Sequence, residues 1–229
     1  MPFQFAEGEI LLINKPFTWT SFDVVNNFRM FLKSKHGIKK IKIGHAGTLD
    51  PLATGLLILC TGKFTKKIEE FKEFDKEYTG VFTLGATTPS FDLESEMDAR
   101  FDIGPITEKM IMATAEMFVG ELMQIPPQFS AIKIKGRRAY DYARQNEEVK
   151  LAAKRIGISA FEIKKIEMPD VHFRIACSKG TYIRAMARDF GLALKNGAYL
   201  SALCRTRIGP YHLQDAWELD ALKTSLLPG

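Results

Sequence analysis

Cysteine is scarce in this chain. Cys60, Cys177 and Cys204 are widely spaced, odd in number and include no CxxC pair. That pattern argues against a disulfide framework and against a structural zinc site. Histidine is nearly as rare. His36, His45, His172 and His212 are scattered, and no acid-rich cluster accompanies His45, so no metal site is expected. Apolar runs stop after about six residues, far short of the roughly 20 that a membrane-spanning helix needs. The opening MPFQFAEGEI lacks the charged start and apolar centre of a secretory signal. The expectation is a reduced, cytoplasmic protein without a membrane or a metal.

What is present is apolar content, at 46% of 229 residues, enough to bury a real core. Net charge is +5, and the excess is clustered. KSKHGIKKIK carries Lys33, Lys35, Lys39, Lys40 and Lys42, and KIKGRR carries Lys133, Lys135, Arg137 and Arg138. Such clusters suit a polyanion, because each phosphate contact releases counterions.

No repeat, low-complexity segment or long linker interrupts the chain. EILLINKP reads as a strand closed by Pro16. TSFDVVNNFRMFLKSKHG reads as a helix capped by Ser21 and ended by Gly37, with Val24, Val25, Phe28, Phe31 and Leu32 on one stripe. EYTGVFTLG alternates as a strand, TEKMIMATAEMFVG is helical, and two strands alternate from Ile156 to Ser178 around MPD. A helix follows Gly180, and the end reads as a bent strand and a short helix. The mixture lacks a regular βαβ rhythm, so the expected class is α+β with a mainly antiparallel sheet.

The most informative stretch is GHAGTLDPLATGLLIL, Gly44 to Leu59. Gly44, Gly47 and Gly55 permit tight turns and close approach of another molecule. Pro51 biases Asp50 away from helix, so the carboxylate sits on a stiff mount. The Gly-Lys-Ser/Thr ending of a phosphate loop is missing, and GTLDPLATG supplies no serine or cysteine nucleophile. Lone-carboxylate chemistry remains, with Asp50 as nucleophile or base and a cation to keep it ionised.

GHAGTLDPLATGLLILCTGKFTK closely resembles the active-site motif of the TruB family of tRNA pseudouridine synthases. LLINKPFTWTSFDVV, KEYTGVFTLG, QIPPQFSAIKIKGRRAYDYAR, CSKGTYIRAMARDFG and YLSALCRTRIGPY resemble further family motifs, in the family's order. The resemblance implies a pseudouridine synthase fold, a mainly antiparallel mixed sheet flanked by helices, as a single catalytic domain over 1–229. It implies an RNA-gripping, thumb-like insertion over 124–152. The chain stops at Gly229, which leaves no room for the PUA domain of many relatives. The implied activity is isomerisation of the T-loop uridine of tRNA by base flipping, with no cofactor. The implied partner is the T-arm stem-loop, bound by a monomer.

Carried over motif by motif, Asp50 is the catalytic aspartate, Tyr78 packs on the target base, and Arg184 pairs with Asp50. His45 contacts RNA around the flipped nucleotide, Leu203 lines the base pocket, and Asp92 falls in a polar active-site loop. Lys133, Arg137, Arg138 and Tyr142 belong to the grip, while Lys15 and Pro16 support the site from beneath. Two other classes compete: a pseudouridine synthase acting on another RNA, and a non-catalytic RNA-binding or RNA-folding protein on the same scaffold.

Overall fold

The computed structural model describes residues 3–130, 132–134, 136–145, 147 and 149–227. Along the chain, β1 (Ile10–Lys15), α1 (Ser21–His36), β2 (Ile43–Ala46), β3 (Ala53–Thr61), α2 (Ile68–Glu73) and β4 (Lys76–Leu84) come first. The middle holds β5 (Ala86–Thr87), β6 (Ala99–Arg100), α3 (Glu108–Met117), β7 (Gly120–Gln124), β8 (Lys133–Ile134), β9 (Arg137–Arg138) and α4 (Ala139–Ala143). Then follow β10 (Lys154–Glu167), β11 (Asp170–Cys177), α5 (Ile183–Ala193), β12 (Ala198–Ile208), β13 (Tyr211–His212), β14 (Trp217–Glu218) and α6 (Leu219–Ser225). Two compact units divide the chain: 1–78 with 203–229, and 79–202. Strands β4 and β12 are cut by that division.

In the first unit the strand order is β14–β1–β3–β12, with β2 added on β3 and β13 on β12. β1 and β3 run antiparallel, pairing Ile13 with Leu57, while β12 joins β3 in parallel with Leu203 opposite Ala53. The apolar run of β3 is explained by burial on both faces. Leu57 and Leu59 pack against Val24, Val25, Phe28 and Leu32 of α1 and Leu222 of α6. Leu56, Ile58 and Cys60 point the other way, to Phe71 and Ile208.

Helix α1 starts where the sequence predicts but is capped one residue earlier. Thr20 is the N-cap and forms a capping box with Asp23, and Gly37 closes the other end at φ 66°. Ser21 is instead the first helical residue and is buried. It is thereby freed for a different task, described below.

In the second unit the strand order is β4–β11–β10–β7. Its centre is a cluster of rings from β4, β10, β11 and α5: Phe82 lies 4.2 Å from Phe173, and Phe190 lies 5.5 Å from Phe161. Such pairs add specific geometry to large apolar burial. The expected α+β class with a mainly antiparallel sheet is what the structure shows. Among the described residues no helix is long and apolar enough to cross a membrane.

Candidate active site

Asp50 stands in the loop between β2 and β3, half-buried, and its two chain neighbours are clamped from opposite sides. Before it, Leu49 is held by Ser21: the Leu49 N–H donates to Ser21 Oγ at 2.9 Å, and that hydroxyl donates to the Leu49 carbonyl at 3.2 Å. After it, the Pro51 carbonyl accepts the Thr18 N–H at 2.9 Å and Lys15 Nζ at 3.3 Å. The Asp50 carbonyl itself accepts the Ala53 N–H at 3.1 Å, closing a tight turn. The stiff mount expected from Pro51 is therefore built chiefly by the segment from β1 into α1.

Two buried cations support this loop. Lys15 is fully buried, and its ammonium also meets the carbonyls of Pro16 at 2.9 Å and Trp19 at 2.5 Å. Burial lowers its pKa to about 8 against the opposing pull of the Asp50 carboxylate, and Arg205 adds to the lowering. Arg205, on β12, is 1% exposed. Its Nε donates to the Leu56 carbonyl at 2.8 Å and its Nη2 to the Gly47 carbonyl at 3.0 Å. The two bonds use separate nitrogens of one planar fork, Nε and Nη2, a geometry that arginine supplies and the single nitrogen of lysine does not.

The glycines of the loop serve this internal packing. At Gly55, φ is +101°, and a Cβ would lie 2.4 Å from the Arg205 carbonyl oxygen. The close approach expected there is made by the chain's own strand β12. Gly47, at φ +82°, turns its carbonyl to the Arg205 guanidinium. Gly44 has no positive φ, and its missing side chain admits Ile68.

His45 sits on β2 opposite Leu59. Its Nδ1 is buried with no hydrogen-bond partner among the described residues. Burial lowers its pKa, with Arg205 and Lys72 adding to the effect, so the imidazole is neutral near pH 7. Tyr78 is buried near the start of β4, and Leu203 is half-buried beside Ala53, the first residue of β3. Asp50, His45, Tyr78 and Leu203 thus share the first unit.

The second unit carries Arg184 and Asp92. Both are buried, and Arg184 Nε lies 3.4 Å from Asp92 Oδ2. The same guanidinium donates to the carbonyls of Ser90 at 3.2 Å and Phe129 at 2.9 Å. Asp92 is separated from its acidic neighbours by this burial, since Glu94, Glu96 and Asp98 are exposed. A buried pair of this kind is costly to break from one side, because the remaining charge is stranded.

The segment expected to grip RNA forms a small hairpin followed by a helix. Lys133 pairs with Arg138 and Ile134 with Arg137, across Gly136 at φ +87°. The Arg137 guanidinium lies over the Tyr142 ring at 4.2 Å, and the Tyr142 hydroxyl donates to the Ile134 carbonyl at 3.4 Å. Arg138 and Arg144 both approach Tyr140, at 5.8 and 5.4 Å. Lys135, read from the sequence as part of this cluster, lies outside the described residues. Among the described residues no cluster of histidine, cysteine and acidic side chains could hold a metal ion, and Cys60, Cys177 and Cys204 form no disulfide.

A glycine-rich loop that presents one aspartate from between two antiparallel strands, in a mixed α+β fold, matches a known class of RNA-modifying enzyme. The TruB family pseudouridylate synthase N-terminal domain matches residues 33–183, and the chain belongs to that family. Among curated proteins, it is 52% identical to tRNA pseudouridine synthase B of Phocaeicola vulgatus, over 95% of this chain and 92% of the relative. It is 51% identical to the protein of the same name from Flavobacterium johnsoniae, over 98% and 99%. Among solved structures, a chain of a Cbf5–Nop10–Gar1 complex superposes with a TM-score of 0.73 at 28% identity, covering 96% of this chain and 54% of that one. A chain of an H/ACA RNP bound to a substrate RNA containing 2'-deoxyuridine gives 0.70 at 27%, covering 96% and 53%. The chain spans about half the length of each of these two.

Proposed function

We propose that this chain isomerises a uridine in the T loop of tRNA to pseudouridine, acting as a cytoplasmic monomer on the T-arm stem-loop. The observation that supports it best is the clamped aspartate: Asp50 held between Leu49 and Pro51, whose backbones are fixed by Ser21, Thr18 and Lys15. A group that must meet one bond of a flipped nucleotide gains from such fixed geometry.

In this reading the bond from uracil N1 to the ribose breaks, the base turns, and a bond from C5 to the same ribose carbon replaces it. The C5 proton leaves, and N1 ends protonated. Atoms and electrons balance within the nucleotide, so the isomerisation calls for no cofactor. Asp50 is the catalytic carboxylate, as nucleophile or base. Tyr78 packs on the base and is placed to receive its carbon-bound proton. Arg184 is the cation that pairs with Asp50, Asp92 belongs to the polar active-site loop, Leu203 lines the base pocket, and His45 contacts RNA around the flipped nucleotide. Lys133, Arg137, Arg138 and Tyr142 grip the stem-loop through phosphates and sugars.

The test is release of tritium from a T-arm hairpin carrying 5-tritiated uridine, followed by mapping of pseudouridine. Release from the T-loop position is expected. Binding of the hairpin without release would favour the non-catalytic RNA-binding reading. Release only from a guide-assembled or ribosomal RNA would favour a different target. The roughly 50% identity to proteins named for tRNA supports the tRNA arm of that choice over the 28% likeness to Cbf5.

A further inference from the structure

The sequence FTWTSF, Phe17 to Phe22, sorts its aromatic rings in two directions. Trp19 packs against the apolar cluster under α1. Phe17 and Phe22 are 58% and 62% exposed. Single exposed apolar residues are ordinary on protein surfaces. What sets these two apart is their attachment.

Phe17 directly precedes Thr18, whose N–H holds the Pro51 carbonyl. Phe22 directly follows Ser21, whose hydroxyl holds Leu49. The two exposed rings therefore branch from the two chain positions that clamp the neighbours of Asp50. Their backbone is fixed as well. Thr18 sits at φ 70°, an unusual conformation for a β-branched residue that persists only where surroundings enforce it. The Trp19 carbonyl is tied to Lys15 Nζ, and Thr20 caps α1.

The local charge narrows the partner. Asp23 is the acidic group of this turn, and its hydrogen bonds to Thr20 depress its pKa and keep it ionised. The Lys15 ammonium is bonded to the Pro16 and Trp19 carbonyls of the same turn, and Arg29, Lys33 and Lys35 lie further along α1. The two rings themselves are uncharged, so the part of an RNA that suits them is the flat face of a base.

We propose that Phe17 and Phe22 form a stacking platform for an unpaired base of the substrate RNA, next to the uridine presented to Asp50. The proposal rests on the reading of the chain as a tRNA uridine isomerase, since it takes the Asp50 loop to be part of an RNA interface. Stacking on aromatic side chains is a general means of holding splayed-out loop bases.

The test compares F17A/F22A, F17L/F22L and F17W/F22W with the parent. Affinity for a fluorescein-labelled T-arm hairpin is read by anisotropy at low and high salt, and single-turnover isomerisation is read at saturating RNA. Both residues are exposed, and unchanged thermal unfolding would verify folding. The alanine pair should weaken binding by about tenfold or more. Leucine should not restore it and tryptophan should. The slope of affinity against salt should stay that of the parent, because no phosphate contact is lost. Parent-like affinity in the alanine pair, or equal affinity of the leucine and tryptophan pairs, would overturn the platform. A parent protein that binds the hairpin but isomerises nothing would overturn the enzymatic reading instead, and the binding comparison would still decide this one.

Discussion

Ser21 satisfies both backbone polar groups of Leu49, donating to its carbonyl and accepting from its N–H, across 28 residues of sequence. Both residues are buried, so water cannot replace the hydroxyl if it is removed. S21A should cost about 1–3 kcal/mol of stability, the range for stranding buried polar groups. Because the freed backbone adjoins Asp50, single-turnover isomerisation should also fall, by about tenfold or more. A denaturant melt and a rapid-quench assay on the same preparation would check both. A destabilised variant with the parent rate would show that the clamp serves folding alone.

Asp50 is the only acid in its loop. D50N should abolish isomerisation while hairpin affinity and the unfolding midpoint stay near those of the parent. Turnover near the parent rate in a folded D50N preparation would remove Asp50 from the chemistry.

Arg205 offers a sharper test of positioning. R205K keeps the charge but replaces the two separate donor nitrogens that meet the Leu56 and Gly47 carbonyls with a single one. The expected loss is about tenfold in kcat, or 1.4 kcal/mol, with hairpin affinity little changed. An equal loss in affinity and none in kcat would place Arg205 in RNA binding.

Lys15 makes a pH prediction with two opposite signs. Its folded-state pKa is about 8, below the ordinary value of 10.5. The unfolded chain therefore holds more protons between those values, and the contribution of Lys15 to stability rises with pH across that window. Below pH 8 the buried charge imposes its full cost, moderated by Asp50 and Asp23 and increased by Arg205. Activity should move the other way, because a neutral amine loses one donor and the charge facing Asp50. The single-turnover rate should decline as pH rises through about 8, and K15M should remove that inflection. A parent profile flat from pH 7 to pH 9 would refute the assignment.

The hairpin residues Lys133, Arg137 and Arg138 should contribute to RNA binding through phosphates. Replacing all three by alanine should lower the salt slope of log affinity by up to about 0.9 per lost contact on duplex and less on single strands. Hydrogen exchange with and without a T-arm hairpin would report whether RNA orders this segment. Unchanged slope and unchanged protection together would take it out of the interface.

How much of this was legible in the sequence depended on how local the cause was. The apolar run of β3, the alternation of β4 and the Gly37 stop of α1 are local signals, and each appears where the pattern placed it. Thr20 was also legible as a cap, since Asp23 stands three residues on, but Ser21 competes for the role by composition. Only the burial of Ser21 against Leu49 separates them. Arg205 was illegible, because its partners, Leu56 and Gly47, lie 149 and 158 residues away. An arginine in a strand near other arginines reads as surface until the opposing carbonyls are known. Asp92 shows the same limit: among neighbouring acids, only the fold selects the one that meets Arg184.

The first unit is assembled from two distant pieces of chain, 1–78 and 203–229. Translation delivers them at opposite ends of synthesis, at about 5–20 residues per second. When the Asp50 loop leaves the ribosome, Arg205 has yet to be made, β1 lacks its neighbour β14, and the α1 side of the core lacks Leu219 and Leu222. The intervening residues 79–202 already possess their own ring cluster and strand pairs. The order of maturation therefore inverts the order of the sequence: the segment read second can fold first, and the segment bearing Asp50 is completed only when residues 203–229 are made. A nascent chain stalled before Arg205 would carry Asp50 with Ser21, Thr18 and Lys15 but lack the guanidinium that ties Gly47 to Leu56.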